Sequence, residues 1–135
     1  MKVIFDTNAY TALRRGHEGV AEHVRRSDGV LFSAVVAGEL LYGFRHGTRL
    51  AQNLRDLEGF LADPEVRFLP VAWSAAEHFG KISADLRRKG KPIPTNDIWI
   101  AAQTMDAGAN ARCQREVLPT RGAGHFTDGP PTRMR

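Results

Sequence analysis

At 135 residues, 42% of them apolar, the chain is sized for one domain with a substantial core. Its single cysteine, Cys113, excludes an internal disulfide framework and a cysteine-based zinc site, and no apolar run is long enough to cross a bilayer. The net charge of +4 is concentrated late: residues 110–135 hold five arginines (112, 115, 121, 133 and 135) against Glu116 and Asp128, while the first 109 residues hold 14 basic and 13 acidic groups, so bulk charge points only weakly to nucleic acid.

In chain order, Lys2-Val3-Ile4-Phe5 has the continuous apolar pattern of a strand buried on both faces, and it stops at Asp6-Thr7-Asn8. Asp6 therefore falls at the carboxyl end of a central strand, the rim where open α/β sheets bind ligands. Asp-Thr-Asn equally serves as a plain strand-to-helix turn. Thr7 and Asn8 are expected to cap a helix over residues 10–15, stopped by Gly16. A second helix is expected over residues 17–26, with Val20 and Val24 at helical spacing, and Ser27-Asp28-Gly29 reads as a turn. Residues 30–35 form a second predicted strand, with helix resuming near Val36 and running through Gly38-Glu39-Leu40-Leu41-Tyr42-Gly43-Phe44. Thr48 is expected to cap a helix in which Leu50, Leu54, Leu57 and Leu61 recur at three- and four-residue steps, ended by Asp63-Pro64. Residues 66–71 are a third predicted strand. Ser74 is expected to cap a helix reaching Lys89, with Ala76, Phe79, Ile82 and Leu86 in one stripe and Gly90 closing it. Lys91-Pro92-Ile93-Pro94 is extended, because proline disfavours helix in the residue before it. Thr95 or Asn96 is expected to cap a last helix from Asp97 to about Ala107.

Strands alternate with helices, which predicts an α/β protein: a three-layer α/β/α arrangement with a mainly parallel central sheet. Right-handed connections then gather the strand ends on one rim. Past Gly108 the alternation fails, so the expected α/β domain is 1–109. Residues 110–135, rich in Gly, Pro, Thr and Arg, are expected to be an irregular tail in place of a last strand. Asp6 interrupts the N-terminus too early for a secretory signal, and a cytoplasmic protein is expected.

Three carboxylates stand at element junctions. Asp6 closes the first strand; Glu39 sits early in a helix among Val35, Val36, Leu40 and Leu41; Asp97 precedes Ile98-Trp99-Ile100-Ala101-Ala102. Acids in apolar surroundings are costly unless paired or metal-bound. Several together repel, and a hard divalent ion relieves this; oxygen ligands favour Mg²⁺ or Mn²⁺ over zinc. Such a site suits phosphodiester hydrolysis. Each acid also has a plainer role: Glu39 can pair with Arg45, and Asp97 can serve only the dipole of its helix. Other chemistry is thin. The five histidines (17, 23, 46, 78 and 125) form no ligand pair, and no phosphate loop, dinucleotide fingerprint or serine elbow is present. Arg87, Arg88 and Lys91 are candidates for contact with RNA phosphates. Trp99 reads as core.

Phe5-Asp6-Thr7-Asn8, then Gly38-Glu39-Leu40-Leu41-Tyr42-Gly43, then Pro94-Thr95-Asn96-Asp97-Ile98-Trp99-Ile100-Ala101-Ala102 resemble, in order and spacing, PIN-domain toxins of the VapC type. The resemblance covers roughly residues 1–109. It implies a metal-dependent ribonuclease, the toxin of a toxin–antitoxin pair, acting as a homodimer with Mg²⁺ or Mn²⁺. It also implies a VapB-like, DNA-binding antitoxin whose tail blocks the active site. By the same resemblance Asp6, Glu39 and Asp97 are the catalytic, metal-binding acids, and Thr7, Asn8 and Asn96 support them. The family usually continues with an apolar strand such as Thr-Leu-Leu-Thr, then Arg-Asp, then His-Phe. Here Thr120-Arg121 meets Gly122, with His125-Phe126 behind, so the fourth acid is missing from that register. Glu116, 19 residues beyond Asp97, ranks first to replace it. Codons permitted for residues 110–114, read one nucleotide later, can give Thr-Leu-Val-Val-Ser, so a frameshift near residue 110 is a further expectation. The alternative to an active nuclease is a catalytically impaired remnant that still binds antitoxin.

Overall fold

The computed structural model describes residues 2–108. The expected irregular tail, the missing strand, Cys113 and Glu116 lie outside the described residues. Three strands, β1 (Val3–Phe5), β2 (Val30–Ser33) and β3 (Val66–Leu69), form a parallel sheet in the order β1-β2-β3. Val3 faces Val30 and Phe5 faces Phe32; on the other side Val30 faces Val66 and Ser33 faces Leu69. The helices are α1 (Thr7–Arg14), α2 (Glu18–Arg26), α3 (Ala34–Phe44), α4 (Leu50–Leu61), α5 (Trp73–Arg88) and α6 (Thr95–Gly108).

Side chains alternate across a strand, and the two resulting sets pack into two cores. Val3, Phe5, Val30 and Phe32 join Tyr10, Val36, Leu40, Leu57 and Phe60 from α1, α3 and α4. Leu31 and Leu69, with Ile4 against them, meet Ala107 of α6 on the opposite face. The layering is therefore helix, sheet, helix, as expected. Phe60 anchors the larger core: its ring centroid lies 5.7 Å from Phe5, 5.2 Å from Tyr10 and 5.3 Å from Phe32, separations at which aromatic pairs attract beyond their area burial. Burial pushes the Tyr10 hydroxyl up to about 12; Asp56 adds to the rise and Arg14 opposes it. Those two groups are themselves paired at 3.1 Å.

Gly29 launches β2. Its φ is +136°, and a Cβ there would lie 2.8 Å from the Glu65 carbonyl oxygen, so only glycine fits without strain. That same carbonyl accepts from the Val30 N–H at 2.8 Å and starts the β2–β3 ladder. β3 buries Leu69 but exposes Arg67 and Phe68, unlike the fully buried β2.

Helix starts differ from the expected ones, each for a local reason. Asp6, not Thr7 or Asn8, caps α1, because its carboxylate accepts from the Ala9 N–H at 2.6 Å. Charge-assisted caps of this kind are short and strong. The second strand ends at Ser33 rather than residue 35, since the Ser33 hydroxyl accepts from the Val35 N–H at 3.0 Å and turns the chain into α3. Arg49, not Thr48, occupies the N-cap position of α4, and its side chain makes no cap bond. The third strand stops at Leu69, and α5 begins at Trp73, with Ala72 at its N-cap position; Ser74 instead donates to Asp106 of α6 at 2.8 Å. α6 begins at Thr95, where the Pro94 carbonyl accepts from Ile98.

Candidate active site

Parallel pairing of Phe5 with Phe32 brings Asp6 and Ser33 side by side at the carboxyl rim of the sheet. Both sit where strand becomes helix, and both cap the helix that follows. Asp6 is half-buried and Ser33 is 1% exposed.

The buried Ser33 hydroxyl also donates to Gln103 Oε1 of α6, and Gln103 Nε2 donates to the Leu69 carbonyl at 2.9 Å. One amide thus ties α6 to the ends of β2 and β3. One turn further on, Ala107 packs against Leu31 and Leu69. α6 therefore descends over the sheet from above the rim, and its first turn overhangs it. Asn96 lies seven residues before Gln103, about 10 Å higher at the helical rise. Glu39 lies six residues beyond Ser33, about 9 Å up α3. Two helices leaving one anchor by similar lengths meet again: Asn96 Nδ2 donates to Glu39 Oε1 at 3.0 Å.

The expected site residues distribute accordingly. Glu39 and Asn96 are in contact, and Asp97 is Asn96's neighbour in the first turn of α6. Asp6 stands at the carboxyl end of β1 beside Ser33, with half-buried Thr7 and exposed Asn8 in the first turn of α1. The expectation of acids embedded in apolar surroundings is corrected: Glu39 is half-buried and Asp97 exposed, because α6 overhangs the rim there instead of packing on it. Among the described residues Glu39 is held by Asn96, an amide rather than a cation such as Arg45. Trp99 stacks on Phe79 at 4.2 Å and 26°, joining α5 to α6. Arg87, Arg88 and Lys91 are exposed. Arg88 pairs with Asp85, whereas Arg87 and Lys91 line a cleft of about 340 Å³ with Ser83, Leu86 and Ile98, beside Asp97 in sequence.

Sequence reasoning missed Ser33 and Gln103. The available signal was a glutamine closing an apolar helical run, at a two-turn interval from Asn96. Ser33 was concealed inside the predicted strand.

Among the described residues, no three His, Cys, Asp or Glu side chains lie within reach of a single ion as they stand. The donor set is nonetheless all carboxylate and amide oxygen, which suits a hard divalent cation. The bonds from Ala9 to Asp6 and from Asn96 to Glu39 each use one acceptor position of a carboxylate that has about four.

Comparison with known proteins gives a consistent picture. The family described as PIN domain matches residues 3–122. Ribonuclease VapC2 of Haemophilus influenzae is 32% identical over 110 residues, covering 80% of this chain and 82% of that protein. The tRNA(fMet)-specific endonuclease VapC of Shigella flexneri is 31% identical over 110 residues, with the same coverage, 80% and 82%. Among solved structures, DNA-bound VapBC from Salmonella typhimurium superposes with a TM-score of 0.69 at 29% identity, covering 80% of this chain and 82% of that one.

Proposed function

Because the chain belongs to the PIN-domain family, as a protein of its VapC type, we propose that it hydrolyses RNA phosphodiester bonds with a divalent cation, Mg²⁺ or Mn²⁺, held by Asp6, Glu39 and Asp97. The observation that carries this reading is the 3.0 Å bond from Asn96 to Glu39, which links the wall of the rim on α3 to the turn of α6 bearing Asp97. Asp97 is exposed, so its carboxylate is open to a ligand.

When bound, such an ion activates water, neutralises the phosphate and stabilises the leaving oxygen. The chain's own residues prepare for it. Asn96 holds one Glu39 oxygen in place and leaves acceptor capacity on the group. The Ala9 N–H does the same for Asp6. The Ser33–Gln103 anchor sets the height of α6, and with it the distance between Asn96 and Glu39. Thr7 and Asn8 orient groups around Asp6, and Glu116 is a further candidate ligand. Arg87, Arg88 and Lys91 meet the RNA backbone. No protein general base is assigned, and the products carry 5′-phosphate and 3′-hydroxyl ends.

The chain acts as the toxin of a toxin–antitoxin pair, with a VapB-like, DNA-binding antitoxin and a second copy of itself as partners. The solved relative from Salmonella, a VapBC complex bound to DNA, supports the antitoxin partner. No described helix is long and apolar enough to cross a membrane, and the proposed location is the cytoplasm. The division into a catalytic unit of residues 1–109 and a divergent segment 110–135 belongs to the same proposal. An impaired remnant that only binds antitoxin is the weaker reading, since all three acids and the supports Thr7, Asn8 and Asn96 lie within the described residues up to α6. Cleavage of labelled RNA, assayed with and without chelator, tests the proposal. Turnover lost on chelation and in Asp6→Asn and Asp97→Asn supports it; turnover indifferent to all three overturns it.

A further inference from the structure

Glu39 shares its face of α3 with two aromatic side chains. Glu39, Tyr42 and His46 recur at steps of three and four along α3 and through the turn just past its end, the spacing that aligns side chains on one stripe. Tyr42 is 69% exposed; among the described large apolar side chains only Trp73 stands further out. Neither core uses Tyr42 or His46.

The exposed ring is braced. His46 approaches Tyr42 edge-on, with centroids 4.5 Å apart and planes at 64°. Its Nδ1 lies 3.0 Å from the Tyr42 carbonyl oxygen, so with Nδ1 protonated the imidazole donates there and is fixed against the helix. Helical side chains lean toward the N-terminus, so Tyr42 covers the turn that carries Glu39. Gly43, four residues after Glu39, adds no side chain to the strip. The result is a preset aromatic surface at the lip of the acid site. A carboxylate next to it repels phosphate, but a neutral π face accepts any base.

We propose that Tyr42, braced by His46, is a stacking platform for an unpaired nucleobase of the RNA, seating the nucleotide beside the acids. This rests on the ribonuclease reading above. Stacking on an aromatic side chain is sequence-tolerant and changes affinity by about tenfold or more per base.

The test uses the full chain and single-stranded oligoribonucleotides in which each base in turn is replaced by an abasic site. Tyr42→Ala is expected to raise KM about tenfold with kcat within about twofold, while Tyr42→Phe keeps the KM of the parent. One abasic position should raise KM in the parent protein and have no further effect in Tyr42→Ala. Mn²⁺ affinity should be the same in Tyr42→Ala, which separates this platform from the metal site. An unchanged KM in Tyr42→Ala, or a Phe variant as impaired as the Ala variant, overturns the platform. Should the parent protein not cleave, fluorescence quenching of a 2-aminopurine base in the same RNA replaces KM: quenching lost in Tyr42→Ala supports the platform, and equal or absent quenching overturns it. Loss of affinity for the purified antitoxin with RNA affinity intact assigns Tyr42 to the protein partner and overturns the proposal.

Discussion

Replacing Gln103 with leucine tests the anchor that sets α6 over the rim. Gln103 is 2% exposed, and both ends of its amide are engaged, with the Ser33 hydroxyl and the Leu69 carbonyl. Leucine removes both bonds, so the buried Ser33 O–H loses its acceptor and the Leu69 carbonyl loses its side-chain donor, while the Ser33 oxygen still accepts from the Val35 N–H. Stranding a buried polar group outright costs about 1–3 kcal/mol, so the two losses cost at most about 2–6. Apolar burial of the leucine offsets part of this, and a net loss of about 3 kcal/mol is expected. Against a domain stability of about 5–15 kcal/mol that is a large fraction. Urea unfolding read by tryptophan fluorescence measures it, since Trp99 is stacked between α5 and α6. The midpoint should fall with the slope unchanged. Ser33→Ala removes the α3 cap as well as the bond to Gln103, so it carries its own cost of about 1 kcal/mol for the cap. The double variant should then lose less than the two single losses together, by about 1 kcal/mol. Strictly additive losses, or a Gln103→Leu effect below about 0.5 kcal/mol, would refute the reasoning.

Two further outcomes follow from the same geometry. Asp6→Asn should melt close to the parent protein, because asparagine caps a helix about as well as aspartate, yet bind Mn²⁺ more weakly; Asp6→Ala should lose about 1 kcal/mol in addition. Thermal melts beside metal titrations separate the two roles. Tyr10, whose hydroxyl is pushed from 10.0 up to about 12, keeps its proton in the folded chain while the unfolded chain ionises. Its contribution to stability is therefore whole below pH 10 and is lost as pH rises toward 12. Alkaline unfolding followed by circular dichroism should show that fall, and Tyr10→Phe should flatten it.

The layers and strand identities were legible because they rest on periodicity. Val3-Ile4-Phe5 and Val30-Leu31-Phe32 have no polar face, and α4 carries its leucines at helical steps. Caps were less legible because several small polar residues compete within one or two positions. At Asp6-Thr7-Asn8 a charged acceptor at the right dihedral won. At Ser33 a hydroxyl inside an apolar run ended the strand early. The acids themselves stood out as isolated carboxylates at junctions. Asn96 enters as a support only through the family resemblance, and Ser33 and Gln103 not at all, since the bonds between Asn96 and Glu39, 57 residues apart, and between Ser33 and Gln103, 70 apart, are properties of the packed helices. No local pattern encodes them.

The central claim is that Asp6, Glu39 and Asp97 converge on one divalent cation. Calorimetric titration of Mn²⁺ into the parent protein and into Asp6→Asn, Glu39→Gln and Asp97→Asn tests it most directly. One shared site, weakened tenfold or so by each single substitution, is the expected result. Parent-like affinity in any two of the three variants would contradict it.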